Sequence, residues 1–427
     1  MLFSLYFPLA WAGIPDGYDF WWTALGDSYA SGVGSGTYTG GRRCLRYDQA
    51  YPVQMQGNND LGLGTTPEDR RLFQNVVCSG AEVDDIESWQ LLDEDTSSQP
   101  SYEYGDRPKF GEPEVATLTV GGDDIDFPGI LFNCIIESHV WFGPPTRTCD
   151  DQRAHSWGLI KNPALVSNIS GLISKIVKKG RAGQANSNFK LYVTGYGQFF
   201  NSGTTLCNDV TFARTANPNP DGKDHIKMTQ ELHKEFNQMS LALNSAIQMA
   251  VAQHASDGVK YIDIDGPLTG HRFCEDGVKE PDQGNRNLWL WHYPYDKPSG
   301  NGGSDYQSVI DAANSQVFGG LSTAELSQKY DSGGAVNDAW FDAIDLSQIQ
   351  GGVDAAGFWD GVVGYRAKLF HPQVAWHQWI QNAIIDQWKN DRDIDSNPAP
   401  TPKLTCTGVE CHQRPCRLFI GVWQGSQ

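Results

Sequence analysis

The stretch Phe20-Trp21-Trp22-Thr23-Ala24-Leu25-Gly26-Asp27-Ser28-Tyr29-Ala30-Ser31-Gly32 decides how the chain is read. Residues 20–25 form an apolar run rich in aromatics, of the length of a buried strand and too short for an ordinary helix. The run stops at Gly26, and the small residues Ala30, Ser31, Gly32 and Gly34 follow Ser28. That composition predicts a tight turn exposing the Ser28 hydroxyl. A serine hydroxyl is a poor nucleophile. Ser28 becomes a catalytic candidate only if a base can take its proton and donors can hold an oxyanion.

Working outward, similar runs recur over Leu72 to Val77, Val115 to Val120, Lys190 to Thr194 and Val259 to Ile264, each ending in glycine or polar residues. Helical periodicity lies between several of them, over Pro163 to Val177, Met228 to Gln253 and Pro372 to Asn390. Strands alternating with helices predict an α/β fold, a three-layer α/β/α sandwich about a mostly parallel sheet. In such folds the functional loops lie at the C-terminal ends of the strands.

The 427 residues exceed one average domain. We expect a signal-like segment over 1–12, one catalytic domain over 13–395, and a Pro-rich linker with a Cys-containing tail over 396–427. Residues 1–12 are apolar and end in Ala10-Trp11-Ala12, the A-x-A form of a signal-peptidase site. Residues 280–360, rich in Gly, Asn, Asp and aromatics such as Trp289 and Trp291, read as a long insertion, either a lid or a surface excursion. In 396–402 every second residue from Pro398 is proline, which holds the chain extended.

The formal net charge of −19 repels phosphate backbones and argues against a nucleic-acid partner. No apolar run approaches the roughly 20 residues a membrane-spanning helix needs, so no stable membrane insertion is expected. Nine cysteines without a zinc pattern, together with the acceptor sequon Asn168-Ile169-Ser170, read as an oxidising, extracellular compartment. A secreted monomer is expected.

Three further clusters join Ser28. Cys78-Ser79-Gly80-Ala81 follows the second strand, Gly121-Gly122-Asp123-Asp124 follows the third, and Phe370-His371-Pro372 opens the last helix. Their order and content resemble the SGNH, or GDSL, hydrolase superfamily over residues 20 to about 385, with the F-H-P form of its secreted fungal and actinobacterial branch. The resemblance implies a flavodoxin-like sheet and a carboxylic ester hydrolase, a lipase or esterase acting on small-molecule, lipid or polysaccharide acyl esters; the alternatives are a carbohydrate acetylesterase of the same fold and a secreted binding protein that has lost turnover. It implies that Ser28 is the nucleophile and His371 the general base, with Ser28 and Gly80 N–H groups as oxyanion donors. It also implies the disulfides Cys44–Cys78, Cys134–Cys149 and Cys207–Cys274. An α/β-hydrolase is excluded, because Ala30 breaks G-x-S-x-G and Ser28 comes too early in the chain.

Two positions depart from the family pattern. Asp123 stands where relatives carry an oxyanion-donating asparagine, and an ionised carboxylate cannot donate. Either Asp123 is protonated, helped by Asp124, Asp126 and burial, or it has another role. Lys368 stands where many relatives carry a triad acid. A backbone carbonyl, Leu369 being one candidate, is expected to orient His371, with Asp263 and Asp265 as possible side-chain partners. His371 before Pro372 is expected at a helix N-terminus, which keeps the imidazole neutral.

His225 and His233 lack H-E-x-x-H spacing, His271 is expected to pack around the Cys274 disulfide, and His377 reads as structural. Cys406, Cys411 and Cys416 beside His412 lack a zinc spacing. No metal and no cofactor are expected.

Overall fold

A computed structural model describes residues 17–62, 66–95, 107–135, 147–182, 188–212, 226–278, 280, 287–291 and 367–396. The signal-like segment, the bulk of the 280–360 insertion, the tail cysteines, His225 and His412 lie outside the described residues.

Five strands form one parallel sheet: β1 Phe20–Gly26, β2 Arg71–Asn75, β3 Val115–Thr119, β4 Lys190–Thr194 and β5 Val259–Ile262, in the order β2-β1-β3-β4-β5. This is the flavodoxin-like order, and it puts the chain reversal beside β1, where ligand crevices open at the strands' C-terminal ends. Every residue of β1 and of β3 is buried. Burial on both faces explains why these strands read as continuous apolar runs and not as alternating ones.

The main helices are α1 Ser28–Ser31, α2 Tyr51–Gly57, α3 Cys149–Ile160, α4 Pro163–Ala182, α5 Gln230–Ala252 and α6 Val374–Ser396. In α4 the buried residues Leu165, Ile169, Leu172, Ile173, Ile176 and Val177 recur at helical spacing and form its core-facing stripe. α4 packs on α5, and α2 packs on α6. Thr229 caps α5 by accepting from the Leu232 N–H, which satisfies one of the four orphan donors of that end.

α6 begins at Val374, two residues later than expected from Pro372. The reason is a competing pairing: Pro372 forms an antiparallel bridge with Leu290, and Gln373 N–H donates to the Trp289 carbonyl at 2.8 Å. His371 is therefore held by a strand-like contact ahead of the helix. The helix starts three residues beyond it, and burial is the leading cause that keeps its imidazole neutral.

Candidate active site

Gly26 makes the turn into Ser28 possible. It sits at φ 134°, and a Cβ there would lie 2.4 Å from the Thr119 carbonyl oxygen on the neighbouring strand, a conformation and an approach that favour glycine. Both polar groups of the Gly26 backbone are held by the buried Gln90, whose Oε1 accepts from Gly26 N–H at 2.8 Å while its Nε2 donates to Gly26 O at 2.9 Å. Asp27 then caps α1, its Oδ1 accepting from the Tyr29 N–H at 3.0 Å. Ser28 opens α1, so its N–H is one of the donors a helix leaves unpaired, and it has no acceptor among the described residues.

The Ser28 hydroxyl is partly exposed and lies 2.6 Å from Nε2 of the buried His371. On the far side of the ring, Nδ1 is 2.9 Å from the Leu369 carbonyl oxygen. A carbonyl only accepts, so Nδ1 carries the proton and Nε2 is left as the acceptor for the Ser28 O–H. Burial pushes the His371 imidazole down to about 4, so it is neutral over ordinary pH. A serine hydroxyl within hydrogen-bond reach of a neutral imidazole is the pairing that base-assisted attack on a carbonyl requires.

The loop carrying Gly80 is fixed to the same turn. Cys78 N–H donates to the Gly26 carbonyl at 2.9 Å, Ser79 N–H donates to the Cys44 carbonyl at 3.1 Å, and Cys44 and Cys78 are joined by a disulfide. Gly80 stands at φ 79° with a nearly open side, as a backbone that approaches a ligand must. The disulfides Cys134–Cys149 and Cys207–Cys274 are also formed.

Asp123 begins a short turn, Asp123–Ile125, directly beyond β3. Burial, with Asp27, Asp124, Glu82 and Asp85 nearby, raises its carboxyl well above the usual range. Asp27 is raised to about 7, first by burial, and Asp124 to about 6 by the same cause. Like charges this close disfavour joint ionisation. Tyr196 ties the Asp27 and Asp123 clusters together: its hydroxyl donates to Asp27 Oδ2 and accepts from Gly122 N–H at 2.9 Å.

Other candidates lie elsewhere. Asp265 accepts from Gln198 N–H at 2.7 Å and from Arg272 at 2.9 Å, and Asp263 accepts from the Asp265 N–H at 3.0 Å, so both are engaged away from His371. Lys368 is buried with its ammonium 4.3 Å from the centroid of the Trp291 ring. His377 is buried, accepting from Tyr51 N–H at 3.2 Å. His271 does not pack around the disulfide. It stacks on Trp289 at 3.7 Å, and the histidine beside Cys274 is His233, with Nε2 at 3.6 Å from Sγ. Cys207, His233 and Cys274 lie together, but both cysteines are committed to the disulfide and offer no thiolate.

Three residues escaped the sequence reading. Gln90 carries no local signal, since its partner lies 64 positions away. Tyr196 and Tyr29 carried one that was unused: Tyr196 follows a strand end, as the other polar clusters do, and Tyr29 adjoins the candidate serine.

Parallel sheet, partly exposed serine and neutral imidazole together define a serine-type carboxylic ester hydrolase, and the chain resembles the SGNH hydrolases. Its curated relatives are lipases. It is 25% identical to Lipase 1 of Streptomyces coelicolor over 260 residues, 61% of this chain and 73% of the relative. It is 22% identical to a lipase of Streptomyces rimosus over 254 residues, 59% of this chain and 73% of that one. Among solved structures it is similar to phospholipase A1 from Streptomyces albidoflavus NA297, at TM-score 0.43 and 23% identity, covering 64% of this chain and 86% of that one. No family model matches the chain.

Proposed function

We propose that the chain hydrolyses esters of apolar acyl chains through an acyl-enzyme on Ser28, with His371 as general base. The 2.6 Å contact between Ser28 Oγ and His371 Nε2 carries this reading. Ser28 Oγ attacks the ester carbonyl carbon as Nε2 takes its proton. The oxyanion is held by the N–H groups of Ser28 and Gly80, with the protonated Asp123 carboxyl as a third donor. Nε2 then returns the proton to the departing alkoxide, leaving the acyl group on Ser28. Water attacks the acyl-enzyme with His371 again as base, the carboxylic acid leaves, and the serine is regenerated.

The apolar preference is supported by a cavity beside the site. It is lined by Tyr29, Gly122, Ile125, Phe127, Met239 and Leu243 among others, and is partly open to solvent. Tyr29 and Gly122 are the chain neighbours of Ser28 and Asp123. An almost wholly apolar lining suits a hydrocarbon chain and gives a sugar ring few polar partners.

We further propose a secreted, monomeric enzyme with one hydrolase domain over 13–395; the three disulfides support the secreted part of this reading. Among the described residues no helix is long and apolar enough to cross a membrane. A panel of p-nitrophenyl esters from acetate to dodecanoate, with acetylated xylan alongside, tests the substrate. Higher kcat/KM for the longer esters is expected; release of acetate from xylan as the best reaction would overturn the acyl-chain reading, and no turnover of any ester would point to a lapsed site.

A further inference from the structure

The hydroxyl of Tyr29 is buried and donates to the carbonyl oxygen of Phe370 at 2.9 Å. One bond thus joins the residue after Ser28 to the residue before His371. Phe370 itself stands at φ 61°, a left-handed conformation that bulky side chains avoid.

The surroundings hold it there. The Phe370 ring centroid lies 4.7 Å from that of Phe273, 5.4 Å from Phe199, and 5.8 Å from both Phe200 and Phe212. Phe370 N–H donates to the Trp291 carbonyl at 2.9 Å, Trp291 N–H to the His371 carbonyl at 3.0 Å, and His371 N–H to the Lys368 carbonyl at 2.9 Å. Strain that neighbours over-determine in this way concentrates at functional sites.

We propose that Tyr29 is a positioning residue for His371: its hydroxyl fixes the Phe370 peptide in the reversed conformation that turns the Leu369 carbonyl onto Nδ1 of the imidazole two residues on. The inference rests on the reading of Ser28 and His371 as nucleophile and base. A backbone acceptor has no rotamer of its own, so its aim is set by the peptide that follows it. In this site the task of an orienting acid falls to a backbone turn, and the Tyr29 hydroxyl locks that turn to the nucleophile. Burial raises the Tyr29 phenol well above its ordinary value, so the hydroxyl keeps its proton and remains a donor.

The test compares wild type with Tyr29→Phe, Phe370→Gly and Phe370→Ala, with Ser28→Ala and His371→Ala as references, using kcat and KM on a soluble p-nitrophenyl ester. Proton NMR of the His371 Nδ1–H, assigned by its loss in His371→Ala, reports the orienting bond directly. Tyr29→Phe keeps the ring and the cavity wall, so KM should stay within about twofold while kcat falls about tenfold or more, and the Nδ1–H signal should shift or be lost. Glycine adopts positive φ without strain, so Phe370→Gly should retain more kcat than Phe370→Ala. An unchanged kcat in Tyr29→Phe, a fall in kcat with an unmoved Nδ1–H signal, or Phe370→Ala outperforming Phe370→Gly would overturn the proposal. If His371→Ala is inactive while Tyr29→Phe is not, this inference alone fails; if His371→Ala keeps full activity, the reading beneath it fails.

Discussion

Nδ1 of His371 and the carbonyl oxygen of Leu369 stand 2.9 Å apart, so a main-chain group occupies the place where many relatives would carry an acid. A neutral acceptor fixes the tautomer as a carboxylate does, but it offers less charge to the imidazolium that forms in the transition state. The two acidic candidates, Asp263 and Asp265, are engaged elsewhere by Gln198, Arg272 and their own backbone. Asp263→Asn should therefore leave kcat within about twofold of wild type, against the ~10⁴-fold loss seen when a working triad carboxylate is neutralised. Steady-state kinetics on one soluble ester checks this.

The pH dependence of activity should have two causes. Burial holds His371 down to about 4, so the base stays deprotonated and active on the acid side until about that pH. Asp123 is raised well above its ordinary range, first by burial and then by Asp27. Its protonated form is the one that can donate, so activity should decline as pH rises and Asp123 ionises. Asp123→Asn donates at every pH, and its alkaline limb should move upward; an alkaline limb identical to wild type would remove Asp123 from the oxyanion site.

Stability should respond to Glu114, whose carboxyl burial raises from 4.5 to about 7. A raised folded value means that the folded state keeps a proton the unfolded chain has released. The stability this contributes is full below about 4.5 and is lost as pH rises through about 7. His371 and His377, depressed by burial to about 4 and about 3, act in the opposite sense, contributing above 6.5 and losing that contribution as pH falls towards those values. Glu114→Gln removes one opposing group. Its melting temperature should exceed that of wild type at about pH 8, and the gap should close towards about pH 4.

Gly26 should tolerate no side chain. Gly26→Ala combines positive φ with a clash on the Thr119 backbone, and neither β1 nor β3 can move away within a fully buried sheet. A loss of roughly 3 kcal/mol or more is expected in urea unfolding.

Much of this was legible in the chain because the signals were local. The runs at 20–25 and 115–120 needed only burial on both faces to read as strands, and each candidate cluster sat beside a strand end or just ahead of a helix. The start of α6 was misplaced because Pro372 looks like a helix-opening proline, while the force that holds it is a bridge to Leu290, 82 positions away. The pairings of Gln90 with Gly26, Tyr196 with Asp27 and Tyr29 with Phe370 were illegible for the same reason, although Tyr196 and Tyr29 themselves sat where a signal could be read. Their partners are brought near only by the sheet order, which no local window contains.

The disulfide between Cys44 and Cys78 closes a loop of 34 residues and anchors the turn that carries Gly80. Replacing both cysteines with serine should cost roughly 2–4 kcal/mol of stability. It should also lower kcat more than it raises KM, since an oxyanion donor acts mainly in the transition state. Urea unfolding and ester kinetics on the double variant read the two effects separately.

The central claim is that Ser28 attacks and His371 activates it. Labelling with a fluorophosphonate, followed by intact-mass and peptide mass spectrometry, tests that most directly. Wild type should carry one adduct on the peptide containing Ser28, His371→Ala should label far more slowly, and Ser28→Ala should not label at all; an adduct on another serine, or undiminished labelling of Ser28→Ala, would contradict the account.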